Sequence, residues 1–140
     1  PAPIVPAHKP LRSNGDKMIV GMGIDIVELA RIEKSLGRFG LRFAEKILGP
    51  EELAGMPGHP LNYVAGRFAA KEAAVKALGT GFSQGIGPAQ VETVSGPGGK
   101  PNLLLHGEAL QQAQAMGVTR CHVSISHDRS SAVAVVVLES

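Results

Sequence analysis

Regular patterning begins at Met18, where MIVGMGIDIV, ending at Val27, is an apolar, β-branched run interrupted by two glycines and an aspartate. The run reads as a mostly buried strand, with Gly21 and Gly23 admitting close approach of another backbone. From Glu28 to Leu36 the apolar period lengthens to that of a helix, which Gly37 and Gly40 end, and a second short helix is predicted over Leu41 to Leu48. Gly49-Pro50-Glu51-Glu52 reads as another helix start, with proline in the first turn and acidic residues facing the positive end of the dipole. Met56 to Pro60 is a Gly/Pro loop. Leu61 to Leu78 is the longest helical pattern, rich in alanine and stopped by Gly79-Thr80-Gly81.

Two strands near 90–95 and 101–105 flank Gly96-Pro97-Gly98-Gly99, a hairpin-turn composition, and Pro88 shortens the first of them by denying a ladder donor. Glu108 to Met116 reads as a short helix closed by Gly117. Arg120 to Ser126 and Ser131 to Leu138 read as a second hairpin around His127-Asp128-Arg129. The order predicts an α+β domain, an antiparallel sheet in which the first strand joins the late hairpins, packed around one long central helix. Gly66 within that helix costs about 1 kcal/mol relative to alanine unless a close contact requires it.

The chain has 140 residues, 44% of them hydrophobic, enough to close one core over 18–140. Aromatics supply only 4%, so the core is aliphatic and a base-stacking platform for nucleic acid is hard to assemble. The net charge of +2 suits acidic partners without demanding nucleic acid. Cys121 is the single cysteine, which excludes an intrachain disulfide or a cysteine-based zinc cluster and points to a reducing, cytoplasmic setting. No apolar run approaches the ~18 residues of a membrane span. Residues 1–17, with prolines at 1, 3, 6 and 10, read as a flexible extension or non-native remnant ahead of a natural start at Met18.

Asp25 stands in an otherwise apolar strand, where an ionised carboxylate is costly unless a cation or hydrogen-bond donors compensate it. Backbone N–H groups at the strand end would serve, and so would a metal. On the long helix, ~100° per residue sets Leu61, Val64, Phe68, Val75 and Leu78 on one stripe, with Glu72 at its edge and Lys76 one turn further on. Glu72–Lys76 and Arg67–Lys71 are i,i+4 steps of the kind that ordinarily form solvated surface pairs. Taken together, two carboxylates from different elements beside three cations and the loop GTGFSQG are the ingredients for holding Mg²⁺ against a diphosphate. Exposed N–H groups of that loop would add donors. Neither GxxxxGK[ST] nor GxGxxG is present. Ser126-His127-Asp128 is no triad, because adjacent residues do not converge by sequence proximity alone.

GIDIVE near the start, RFAAKEAAVKALGTG in the middle and SISH near the end, within Met18 to Leu138, resemble the motifs of the holo-(acyl carrier protein) synthases, short trimeric 4'-phosphopantetheinyl transferases. The resemblance implies that Asp25 and Glu72 bind Mg²⁺ and that Lys76 contacts the diphosphate of coenzyme A, the co-substrate. It also implies that Arg67, Gly79 and Gly81 help seat coenzyme A; His127 either contacts the nucleotide or caps its hairpin. The implied reaction, in fatty acid biosynthesis, is attack of a carrier-protein serine on the pantetheine-side phosphorus, releasing adenosine 3',5'-bisphosphate. Glu72 is the expected base, directly or through water held by the metal. Homotrimers with sites between neighbours are implied as well. Carrier proteins of this family's reactions are acidic, so Arg31, Arg38 and Arg42, in a basic stretch that also holds Lys34, are expected to dock them, with no docking role for Lys34. Two rivals remain: a nucleic-acid binder using the basic stretch 31–46, and a coenzyme A-binding protein without turnover. The proline-rich leader, Gly66 and Pro88 depart from the family pattern without removing a metal ligand.

Overall fold

The computed structural model describes residues 17–140; apart from Lys17, the expected extension lies outside the described residues. The elements are β1 (Ile19–Glu28), α1 (Leu29–Phe39), α2 (Leu41–Ile47), α3 (Pro50–Ala54), α4 (Leu61–Leu78), β2 (Val91–Ser95), β3 (Pro101–Leu105), α5 (Gly107–Ala115), β4 (Arg120–His127) and β5 (Ser131–Glu139). A short 3₁₀ turn over Pro88–Gln90 leads into β2, so the proline delays that strand as its missing donor requires. Gly37 does not end α1. It lies within the helix, and the break comes at Gly40, whose φ of 59° only glycine adopts without strain and whose N–H bonds Leu36 O at 2.8 Å.

The strands form two antiparallel sheets rather than one: β1-β5-β4, with Asp25 opposite Ala134, and a separate β2-β3 hairpin. The early hairpin approaches β4 but does not enter its ladder. Both of its strands are five residues long and prolines stand at or before their starts, so few donors are available for a second partner.

The helix α4 is buried on nearly every side, with Val64, Ala65, Ala69, Ala70, Ala73, Ala74, Val75, Ala77 and Leu78 all in the core. A single apolar stripe is therefore too narrow a description. Alanine lets β1 and β5 settle directly onto the helix backbone. A Cβ on Gly23 would stand 1.9 Å from Ala73 O, and one on Gly21 2.3 Å from Ala77 O. Gly66 faces Ile125, whose Cγ2 would lie 3.0 Å from an added Cβ, which is the close contact that justifies glycine in mid-helix.

The strand β1 is not mostly buried. Alternate residues turn Gly23 and Val27 toward α4, whereas Met22, Ile24 and Ile26 face outward at 62%, 62% and 68% exposure. Beside them, Val133, Val135 and Val137 of β5 are half-buried on the same outer face. The sheet is thus sealed by helices on one side and presents an aliphatic surface on the other.

Candidate active site

The in-facing side of β1 carries Asp25 to the flank of α4, where Lys76 meets it. Lys76 Nζ donates to Asp25 Oδ1 at 2.9 Å and to Ile24 O at 3.1 Å. A cation therefore compensates the strand carboxylate. Lys76 forms this bond across elements rather than a surface pair with Glu72, and it remains half-exposed, so the pair is worth about 0–1 kcal/mol and opens readily.

Glu72 is half-buried beside the same group. Its carboxyl is pushed above the usual carboxylate range, first by burial and then by the negative charge of Asp25, while Lys76 and Arg31 pull the other way. The charge of a carboxylate from a distant part of the chain thus bears on Glu72, an arrangement that a divalent cation relieves. Among the described residues no group of three or more His, Cys, Asp and Glu gathers into a cluster. A metal here would take two protein carboxylates and complete its shell from ligand and water, a set that fits Mg²⁺.

The other expected cations diverge. Arg67 lies ~140° around α4 from Glu72 and ~180° from Lys76. Its guanidinium stacks 3.8 Å from the Tyr63 ring centroid, and Nη2 donates to Ser95 Oγ at 3.3 Å, near the β2–β3 turn. Lys71 is not a solvated surface cation: it is completely buried. Its ammonium donates to Glu52 Oε1 on α3 and to the carbonyls of Pro88 and Val91. Glu52 is buried with it and does not simply face the α3 dipole. Its Oε1 accepts Gly49 N–H at 3.0 Å and its Oε2 accepts Thr93 N–H at 2.9 Å. Glu92, reaching over from β2, accepts the N–H groups of Glu51 and Glu52 and pairs with His106 at 2.9 Å. This buried network escapes a reading by motif. Its members read in sequence as ordinary surface charges, Lys71 one turn from Arg67 and beside Glu72, so no local signal reveals it.

The loop after α4 begins with Gly79 and Gly81 at φ 78° and 60°. The N–H groups of Gly79, Thr80 and Gly81 are not spare donors: Gly79 N–H bonds Lys76 O, and the other two bond Val75 O, closing the helix. His127 is exposed at the end of β4, lining a cleft of about 160 Å³ with Ile26, Ser126, Asp128, Ser131 and Val133. Asp128, rather than His127, caps that hairpin, its Oδ1 accepting the N–H groups of Ser130 and Ser131 at 2.9 Å.

Arg31, Arg38 and Arg42 are all exposed along α1 and α2, and Arg38 stacks 5.1 Å from the Phe39 centroid. Below them a groove of about 450 Å³ is lined by Phe39, Arg42, Phe43 and Lys46. The charges of this surface are legible from the sequence; its aromatic floor is created by the break between the two helices at Gly40.

Residues 21–136 match the 4'-phosphopantetheinyl transferase superfamily. The holo-[acyl-carrier-protein] synthase of Desulfovibrio desulfuricans is 77% identical over 123 residues, 88% of this chain and 99% of that protein. The holo-[acyl-carrier-protein] synthase structure from Neisseria meningitidis superposes with a TM-score of 0.80 at 40% identity, covering 88% of this chain and 100% of that one. The Helicobacter pylori synthase in complex with coenzyme A gives a TM-score of 0.74 at 36% identity, over 84% and 98% of the two chains. With matches of this extent in both sequence and fold, the chain belongs to the holo-[acyl-carrier-protein] synthases of the 4'-phosphopantetheinyl transferase superfamily, and it is an enzyme.

Proposed function

We propose that this enzyme moves the 4'-phosphopantetheine arm of coenzyme A onto a serine hydroxyl of an apo acyl carrier protein, releasing adenosine 3',5'-bisphosphate, in the cytoplasmic synthesis of fatty acids. Residues 18–140 form the catalytic domain. The observation that supports the reading is the Lys76–Asp25 pair at 2.9 Å, with Glu72 one turn before Lys76 on α4 and influenced by both charges. These two carboxylates would hold Mg²⁺, which when bound supplies charge neutralisation at the diphosphate. Lys76, held by Asp25 and Ile24 O through a weak and exposed pair, turns its ammonium to the diphosphate and neutralises charge that grows on the phosphoryl oxygens. Glu72 accepts the serine proton from its place on α4 one turn before Lys76.

A homotrimer is the assembly proposed. The exposed Met22, Ile24 and Ile26, with the three valines of β5 beside them, form an aliphatic surface that association would remove from water. Arg67 and His127 lie apart from the Asp25–Lys76 flank, which suits a site shared between neighbours, each helping to seat coenzyme A in that shared site. An acidic carrier protein would dock on Arg31, Arg38 and Arg42, setting an apolar side chain between Phe39 and Phe43.

Intact-mass spectrometry with apo carrier protein, coenzyme A and Mg²⁺ tests the proposal. The carrier should gain one phosphopantetheine, and Glu72→Gln should lose at least a hundredfold in kcat, as expected for removal of a general base. An unmodified carrier, or full turnover by the glutamine variant at saturating Mg²⁺, defeats the reading.

A further inference from the structure

The loop from Gly79 to Gly87 leaves α4 beside Lys76 and returns to Pro88. Four of its nine residues hold positive φ: Gly79, Gly81, Gln84 and Gly85 at 78°, 60°, 58° and 81°. A segment of this composition loses much backbone freedom on ordering, so its shape depends on what secures its ends. One end is fixed by the bonds from Gly79, Thr80 and Gly81 to the last carbonyls of α4. The other end runs into the 3₁₀ turn Pro88–Gln90, whose Gln90 side chain donates to Gly85 O in the loop at 2.7 Å. Lys71 holds that turn to α4: its buried ammonium reaches Pro88 O, the turn's first carbonyl, at 3.0 Å and Val91 O just beyond it. The third donor goes to Glu52.

Lys71 and Glu72 are consecutive and therefore ~100° apart around the helix. Lys71 is directed to α3 and the start of β2, while Glu72 sits beside Asp25 of β1. Fixing one fixes the azimuth of the other. Burying an ammonium is costly, and a leucine or methionine would fill the same space more cheaply. What an apolar side chain cannot do is hold the carbonyls of Pro88 and Val91, just past the loop, against the helix that carries Glu72 and Lys76.

We infer that Lys71 is a positioning residue for coenzyme A: it clamps the turn just past the 79–87 loop to α4 and, through the Gln90 bond to Gly85 O, sets that loop's distance from Lys76. The inference rests on the proposed function, because it assigns the loop a part in seating that co-substrate. Lys71 itself touches no ligand. Its loss acts on coenzyme A binding through the loop.

Two variants separate this role from plain stability. Glu52→Gln removes the buried negative charge but leaves Lys71 on both carbonyls; Glu52→Gln with Lys71→Met removes the clamp in the same background. Where the double variant does not fold, Lys71→Leu replaces Lys71→Met beside Glu52→Gln, since a leucine fills the space without donating to either carbonyl. Hydrogen exchange of amides 82–90 and titration calorimetry with coenzyme A are read on each, with KM and kcat alongside. The expected result is exchange at least tenfold faster in the double variant than in Glu52→Gln. Its coenzyme A Kd should be at least tenfold weaker, with KM rising by a larger factor than kcat falls, whatever the order of the two Tm values. Equal exchange and equal Kd in the two variants, or Kd values that simply follow Tm, overturn the clamp. Failure of the wild-type enzyme to bind coenzyme A defeats the proposed function instead, and faster exchange still registers the clamp's mechanical part.

Discussion

At the scale of single residues, the surroundings of a carboxylate decide its work. Glu72 is pushed upward by burial and by the negative charge of Asp25. Asp128 is displaced the opposite way: backbone N–H groups of Ser130 and Ser131 stabilise its ionised form and hold its carboxyl below the usual aspartate range. The sign of the linkage follows. A carboxyl depressed by folding contributes stability above its unfolded pKa, about 3.9, and loses it as pH falls toward the folded value. Urea denaturation of Asp128→Ala against wild type should show a constant deficit at neutral pH that shrinks below about pH 4. A deficit unchanged at pH 2.5 would mean that the cap acts without its charge.

Elements are held here by backbone contact as much as by side chains. β1 rests on α4 through Gly21 and Gly23, and the Cβ of an alanine at 23 would meet Ala73 O at 1.9 Å. Both partners are backbone atoms in regular elements, so no rotamer relieves the clash and the strand must lift from the helix. Gly23→Ala is expected to cost at least 3 kcal/mol, at the upper end of overpacking penalties, or to prevent folding. Gly37→Ala offers the contrast within one molecule. Position 37 is helical and nothing lies within 4 Å of an added Cβ, so that change should stabilise by about 0.5–1 kcal/mol. Chemical denaturation of the two variants side by side checks both signs.

At the scale of the whole molecule, one sheet face is covered by α4 and the opposite face carries Met22, Ile24 and Ile26 into solvent. Ile24→Asp with Ile26→Asp should convert the proposed trimer to monomer in light scattering, and activity should fall with it because the proposed sites span neighbouring subunits. An active monomer would separate assembly from catalysis. The basic rim of α1 and α2 acts over longer range. Reversing Arg38 and Arg42 to glutamate should raise KM for an acidic carrier protein at least tenfold at low salt and flatten its salt dependence, leaving KM for coenzyme A within about twofold; reversing Arg31 as well should weaken the carrier further but also disturb Glu72. An unchanged carrier KM at low ionic strength would move the docking surface elsewhere.

The amino-acid sequence determined the elements almost residue by residue, because helix periods, the glycine stop at 79 and the strand alternations are local signals; α4 runs over Leu61–Leu78 in both readings. It also singled out Asp25, Glu72 and Lys76, since a charge inside an apolar pattern is visible in one dimension. Tertiary structure alone decided which partner each charge takes. A lysine one residue from Glu72 reads as surface, yet it is buried because α3 and the start of β2 close over that side of α4. Likewise β1 reads as an enclosed strand, and only the layer order leaves half of it facing outward. Burial depends on what packs from distant parts of the chain, and helix or strand periodicity carries no record of that.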